Sequence, residues 1–497
     1  MLHKTDADDY SNPKQSSITP APSKLFSLQY RLFDPSFCNA GACADFNGDG
    51  KRELCFTSRW NYQFKMLNAA DGEVLWSKQL DGRQQSMAAF DLNQDGQLEI
   101  LYTVSSPGLV YLLSGQGEIL QQWDAGDHKI GNSAVVIDVD GDNNLEGFFG
   151  TRARSFVRLS MPELNLVSRR EAWGQCGCHT SALDVDGDGE WDLFAGSGDD
   201  HDAKGVMHRI NPRTLESVWS FKTDDNASSA DPVLADINGD GTVEIIKSVD
   251  NYNHDDSHEA IYAFDIDGNI LWKAPGYAGE DSPNVADLDG DGELEIVGMT
   301  FGGEVYCLNT DGTERWKKDL RPELDNASHA YLTPLLCDVD GDRELEILAI
   351  TNHSFPSDGN EESSSEHGIV VALSATGEEF DRFDVGGPRY WGEAFLVNVD
   401  EDPWQELVIS GQGGLDVIQT RGYGPQEDYV QRRRTYQRLN VYPWAYEDTY
   451  FIHQGTKTNL TSRADALVLK QDGSDYVSSG SYQTELLRLP DTDFYFE

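Results

Sequence analysis

Basic residues are scarce in this chain of 497 residues: 38 Lys and Arg stand against 86 Asp and Glu, a formal net charge of −48. So acidic a surface repels nucleic-acid phosphates and anionic lipid headgroups, and neither is expected as a partner. Long apolar runs are missing as well. None approaches the roughly 18 residues that a membrane-spanning helix needs, which excludes such a span. Residues 1–24 are polar, rich in Ser, Pro and Asp, and lack the apolar segment of a secretory signal; they read as a disordered leader. Cysteines are few and odd in number, seven. Cys38 and Cys43, like Cys176 and Cys178, are close enough in sequence to be paired or reactive. Cys55, Cys307 and Cys337 sit in apolar runs as core residues, and no zinc-site spacing is present.

What the chain has in quantity is acid at fixed spacing. In Asp287-Leu288-Asp289-Gly290-Asp291-Gly292-Glu293-Leu294-Glu295, oxygen-bearing side chains fall at positions one, three, five and nine, with glycines between. A hard cation such as Ca²⁺ takes about six to eight oxygens at roughly 2.3–2.6 Å, and alternate acids on a tight loop converge on one point. The pattern recurs. The ligand sets are Asp45, Asn47, Asp49, Glu53; Asp91, Asn93, Asp95, Glu99; Asp138, Asp140, Asp142, Glu146; and Asp184, Asp186, Asp188, Asp192. They continue with Asp236, Asn238, Asp240, Glu244; Asp287, Asp289, Asp291, Glu295; Asp338, Asp340, Asp342, Glu346; and Asn398, Asp400, Asp402, Glu406. Together they hold 28 of the 86 acidic side chains, so bound Ca²⁺ would neutralise a good part of the charge. Three loops depart from the pattern and are expected to bind calcium less tightly. Asn143 and Arg343 replace a glycine in the third and seventh, while the eighth begins at Asn398 and has Pro403 in the glycine position.

Successive loops start 46 to 60 residues apart, the period of a propeller or similar array. Between 86 and 124 one unit reads as four short strands, at 86–90, 99–104, 109–113 and 119–123, with the acidic loop between the first two and turn residues between the others. The third turn and fourth strand also repeat, as Asp71-Gly72-Glu73-Val74-Leu75-Trp76, Asp267-Gly268-Asn269-Ile270-Leu271-Trp272 and Asp311-Gly312-Thr313-Glu314-Arg315-Trp316. Asp-Gly makes the hairpin turn and the Trp is placed to pack between blades. A strand at 24–33 precedes the first full unit, so it is expected to close the ring as the outermost strand of the last blade. The fold class is therefore all-β, an eight-bladed β-propeller, or seven-bladed if the eighth loop is degenerate. The propeller is expected over 25–442, with strands at 415–420 and 429–442, and a C-terminal extension over 443–497 with strands at 466–470 and 483–489. The run Arg432-Arg433-Arg434 is read as a solvated strand or a contact to the acidic body.

The D-x-[DN]-x-D-G-x-x-[DE] loops followed by apolar strands resemble the FG-GAP/VCBS repeats of integrin-alpha-like calcium propellers, over about residues 25–420. The resemblance implies structural Ca²⁺. It leaves activity open, because members of the repeat class include adhesion modules and polysaccharide lyases. The Asp-Gly…Leu-Trp turns are similar to those of quinoprotein-type propellers, without any other sign of a quinone.

If calcium loops mark one face, the connections between strands two and three, and between blades, lie on the other. The former swell at 197–205, 250–260 and 352–368, and variable loops on a rigid scaffold commonly carry function. The latter carry His128, Trp173, His179, Asp281, His329, Tyr331, Arg389, Tyr390 and Trp391. The leading expectation is a recognition module that binds a glycan or protein there, with His128, Trp173, Asp281 and Trp391 as ligand contacts. The alternative is a lyase for uronic-acid polysaccharides. In it Arg389 neutralises the carboxylate, and His179 or His329 with Tyr331 or Tyr390 moves the protons of β-elimination. A structural or assembly subunit is the third reading. Calcium at millimolar levels, and sequons at Asn226, Asn326, Asn352 and Asn459, point to an extracellular or cell-surface setting.

Overall fold

The computed structural model describes residue 23 and most of 25–420. Outside the described residues lie 59–60, 94, 96, 127–129, 131–133, 141, 143, 152–154, 172–179, 184, 186–189, 198–205, 223–231, 241, 250–259, 278, 280–282, 301–302, 321–326, 329–332, 338, 340–344, 356–364, 386–388 and 401–404. Of residues 1–24 and 421–497 it describes only residue 23, Thr435–Tyr436 and six short strands between 456 and 483. The described residues are all-β, without helix, and build the eight blades of a β-propeller.

Blade two shows the plan. Arg83–Phe90, Glu99–Ser106, Leu109–Ser114 and Ile119–Asp124 pair in that order, all antiparallel. Inner strands lie between neighbouring sheets and are apolar on both faces: Glu53–Ser58, Glu146–Thr151 and Glu244–Val249 are buried at every residue. Fourth strands form the rim, and Val74–Gln79 and Ile119–Asp124 are mostly exposed. Burial on both faces favours apolar runs rather than strict alternation, which is why the runs were readable in sequence.

The repeated aromatic joins one blade to the next. The Trp76 indole donates to Gly115 O at 3.0 Å, Trp219 to Ile266 O at 2.7 Å, and Trp272 and Trp316 to Thr310 O and Ala375 O at 2.8 Å. Each acceptor belongs to the third turn of the following blade. The turn glycines there, Gly117, Gly268, Gly312 and Gly377, have φ between +79° and +85°. A Cβ on any of them would stand 2.6–2.8 Å from the indole. So glycine is required twice, for the left-handed turn and for the ring lying on it.

The ring closes as the sequence suggested. Phe26–Ala44 is one 19-residue strand that serves two blades. Its first part pairs with Glu406–Thr420, from Phe26↔Thr420 to Phe33↔Gly414, as the outer strand of blade eight. Its last part pairs with Glu53–Ser58, from Cys38↔Ser58 to Ala44↔Glu53, as the inner strand of blade one. Tyr30 takes the tryptophan's place and donates to Ala69 O at 2.7 Å, over Gly72. Arg31 adds a two-pronged contact to the buried Asp416, with Nη2 to Oδ2 at 3.0 Å, and donates to Val385 O at 2.7 Å.

Some expectations change. Cys43 is buried, carried by the strand into the apolar core, while the side chain of Cys38 lies outside the described residues. Cys55, Cys307 and Cys337 are buried core residues as expected, and Cys176 and Cys178 lie outside the described residues. Within the expected strand at 429–442 only Thr435–Tyr436 is described, pairing with Asn284–Ala286, the innermost strand of blade six. In the C-terminal stretch Leu460–Arg463 pairs with Ala466–Leu469, and Thr456–Thr458 with Ser481–Gln483.

Candidate calcium loops

Every acidic loop joins the first strand of a blade to the second, and the second strand begins at position nine. There the carboxylate holds the loop shut. Glu53 Oε2 accepts from Phe46 N–H at 2.8 Å. Glu99, Glu244 and Glu295 accept in the same way from Leu92, Ile237 and Leu288 at 2.8–2.9 Å. Glu146, Glu346 and Glu406 accept from Val139, Val339 and Val399 at 2.8–3.2 Å. The apolar residue at position two is thereby fixed with its side chain in the core: Phe46, Val139, Ile237, Leu288, Val339 and Val399 are all buried.

The earlier positions are set by bonds from side chain to backbone. Asp45 Oδ1 accepts from Gly48 N–H at 2.7 Å and its Oδ2 from Gly50 N–H at 2.8 Å. Asn47 Oδ1 accepts from Asp49 N–H and Asp49 Oδ1 from Lys51 N–H, both at 2.9 Å. Short polar side chains that fold the backbone around themselves suit Asp and Asn at alternate positions. Loops two, five and six repeat these bonds through Asn93 and Asp95, Asn238 and Asp240, and Asp289 and Asp291.

The result is convergence of oxygen. Carboxylate oxygens of Asp45, Asp49 and Glu53 lie within 4.8 Å of one another, as do those of Asp138, Asp140 and Asp142, and of Asp287, Asp289 and Asp291. Asp287 Oδ1 is shielded from solvent and accepts no hydrogen bond. A shielded carboxylate oxygen without a donor is unfavourable unless a cation supplies the charge. Burial, then the neighbouring Asp49 and Asp45, pushes the Glu53 carboxyl up to about 7. Burial, with Asp240 and Asp236, does the same to Glu244. Glu295 also rises to about 7 by burial, with Arg315 working against the rise. An all-oxygen donor set of this kind fits a hard cation, and Ca²⁺ bound there would favour the ionised acids.

Three loops carry a guanidinium that sequence reading missed. Arg209, on the third strand of blade four, clasps Asp192 with Nε–Oδ1 at 2.8 Å and Nη2–Oδ2 at 2.7 Å. Arg158 reaches Glu146 Oε1 at 2.6 Å and Asp140 at 3.7 Å. Arg315 bonds both Asp289 and Glu295. Arg158 and Arg209 occupy one place in the repeat, opposite the residue two beyond position nine. Other blades have Met66, Leu112, Ala263, Cys307 and Ala372 there. Arginine at an otherwise apolar repeat position was the available signal.

Of the remaining sequence candidates, Asp184, Asp186, Asp188, Asp338, Asp340, Asp342 and Asp402 lie outside the described residues, as do His128, Trp173, His179, Asp281, His329 and Tyr331. Arg389, Tyr390 and Trp391 are consecutive on Arg389–Val397, the first strand of blade eight, with Arg389 opposite Gln412 and Tyr390 opposite Gly411. Asn398 is buried, and Asp400 accepts from Gln29 Nε2 at 2.8 Å.

Residues 184–246, from the fourth acidic loop through the fifth, match the model of the FG-GAP-like repeat. With the eight blades, this bears out the resemblance to propellers of FG-GAP/VCBS repeats. No curated protein matches the sequence. Among solved structures, the chain is similar to the biofilm matrix protein Bap1 of V. cholerae, at 13% identity and a TM-score of 0.58, covering 86% of this chain and 98% of that one. It is also similar to Sqt1 of Saccharomyces cerevisiae, at 13% identity and a TM-score of 0.53, over 80% of this chain and 99% of that one. BamB of Moraxella catarrhalis matches at 12% identity and a TM-score of 0.50, over 79% and 99%. At such identities the likeness is one of fold alone.

Proposed function

We propose that this propeller of FG-GAP-type repeats is a calcium-stabilised recognition module of the cell exterior, taking a protein or glycan ligand on the face away from its calcium loops. The observation that carries the reading is the asymmetry of the two faces. Acidic loops and hairpin turns, short and regular, share one face. On the other, blade seven extends: its second and third strands, Glu346–Phe355 and Ser365–Leu373, run ten and nine residues, against five and six in blade six. The added rungs, from Asn352↔Gly368 to Phe355↔Ser365, also recruit Ala327–Ser328 as a flanking strand. A ladder that outruns its blade projects on that face, where segments carried by a scaffold commonly make the contacts.

Calcium in this reading is structural. It holds the first two strands of a blade in register and so presents the opposite loops without ordering them on binding, which favours affinity. The charge of −48 favours neutral glycans or basic protein surfaces. It works against polyuronates, which are anions themselves, and nothing further supports the lyase.

The test is binding of the calcium-loaded protein to glycan and protein arrays, beside a variant in which residues 354–366 are replaced by Asn-Gly. Loss of binding with an unchanged Tm supports the reading; undiminished binding to the same ligands sinks it. Absorbance near 235 nm with uronic-acid polysaccharides is followed in parallel, and a rise there replaces recognition with β-elimination.

A further inference from the structure

We propose that Arg315 competes with the cation of loop six for two of its carboxylates, and so sets the calcium level at which that loop fills. The inference rests on reading the acidic loops as calcium sites. Arg315 lies on Glu314–Asp319, the fourth strand of blade six, and bonds Glu295 Oε1 through Nη1 and Asp289 Oδ2 through Nη2. The second oxygen of each acid is taken by the loop backbone. Glu295 Oε2 accepts from Leu288 N–H at 2.9 Å and Asp289 Oδ1 from Asp291 N–H at 3.3 Å. The guanidinium therefore sits on the remaining oxygens of positions three and nine. In loops one and five a neutral amide joins those positions instead, Asn47 Nδ2 to Glu53 Oε1 at 2.8 Å and Asn238 Nδ2 to Glu244 Oε1 at 2.9 Å.

Charge accounts for the difference. Loop six has four carboxylates at its ligand positions, Asp287, Asp289, Asp291 and Glu295, where loops one and five have three. Arg315 brings the formal charge from −4 to −3, that of the other two. A doubly charged ion approaching these oxygens meets a unit positive charge already bonded to two of them, and the two cations repel. Arg315 is able to leave. Its side chain is 33% exposed and that of Asp289 34%, and an ion pair that water reaches is weak. Arg158 and Arg209, at 10% and 11%, are enclosed by their blades and have no such exit. The residue before the rim tryptophan is Leu75, Val218 and Leu271 in blades one, four and five, so the strand itself does not call for arginine there.

Hydrogen exchange of the full chain over a series of free Ca²⁺ concentrations tests it, read as the midpoint of protection of 287–295 with 236–244 as internal reference. Arg315→Leu and Arg315→Gln should each lower the 287–295 midpoint at least about tenfold, since a unit charge is removed from beside the ion. The reference should stay where it is, which also shows that each variant is folded. Phenylglyoxal labelling of the parent, read by mass spectrometry, gives a second measure. Saturating Ca²⁺ should raise the reactivity of Arg315, against the usual protection by a ligand, while the buried Arg158 and Arg209 do not respond. A 287–295 midpoint that neither variant lowers overturns the proposal, and so does an Arg315 that calcium leaves no more reactive. Absence of any calcium response at 236–244 removes the calcium reading and this inference with it, so the two failures are told apart.

Discussion

Blades three and four are built differently from blades one and five, although all four carry an acidic loop of the same length. In blades one and five the place opposite the second residue after position nine is apolar, Met66 or Ala263, and the ninth carboxylate is met by an asparagine amide. In blades three and four that place holds Arg158 or Arg209, both buried, with a guanidinium on the ninth carboxylate. The joints differ too. The third turns of blades three and four lack glycine, and the preceding blades carry Gln121 and Ser168 where others carry tryptophan. In one design the ninth carboxylate meets a neutral amide, and in the other a positive charge built into the blade. The same repeat thus tolerates two ways of neutralising a buried acid.

The largest effect should come from breaking the built-in pair. Arg209→Met, which copies blade one, leaves Asp192 buried without its partner and is expected to cost about 3–5 kcal/mol in denaturant unfolding. Replacing Asp192 by Leu in the same chain should restore most of that, since an apolar pair of similar volume is commonly neutral. If Arg209→Met is silent, the contrast between the blades is one of sequence only.

Calcium removal should sharpen the contrast. A loop held at about 100-fold its dissociation constant gains roughly 2.7 kcal/mol from the ion. Chelation followed by hydrogen exchange should therefore expose amides of 45–53 and 236–244 about 100-fold more than those of Ser155–Ser160 and Val206–Ile210. Equal loss everywhere would mean that the arginines give no local protection.

A smaller effect distinguishes blade four by acid. Burial lowers the His208 pKa from its ordinary 6.5 to about 4, so the unfolded chain binds the proton more readily than the folded one. The stability this histidine contributes is full above pH 6.5 and is lost as pH falls towards 4, on the order of 2 kcal/mol. His208→Leu should flatten that part of the profile of Tm against pH; an unchanged slope would assign it to the carboxylates.

Much of this was legible because propeller repeats write their geometry into spacing. The acidic loops, the aspartate–glycine turns, Trp76, Trp272 and Trp316, and the closing strand all follow from local pattern. What was hidden depends on register. Arg158 and Arg209 look like ordinary surface arginines until the blades are aligned. The turns of blades three and four escaped for another reason. Leu164 and Leu215 adopt φ of +53° and +56°, a conformation that sequence assigns to glycine. Both leucines are buried in apolar clusters, so packing offsets a local penalty of about 1–2 kcal/mol. Position nine was read as a ligand alone, whereas its bond to the amide of position two also makes it the brace of the loop.

The strand that serves two blades has a consequence in time. Phe26 is made early and its partner Thr420 almost 400 residues later. At about 5–20 residues per second, the edge of that strand waits roughly 20–80 s on the ribosome for the sheet it will complete. During that interval seven blades can form in order, but none is locked, and an unpaired apolar edge invites a neighbouring nascent chain. Assembly of this molecule is consequently a race between closing on itself and closing on another copy, decided by translation speed as much as by equilibrium.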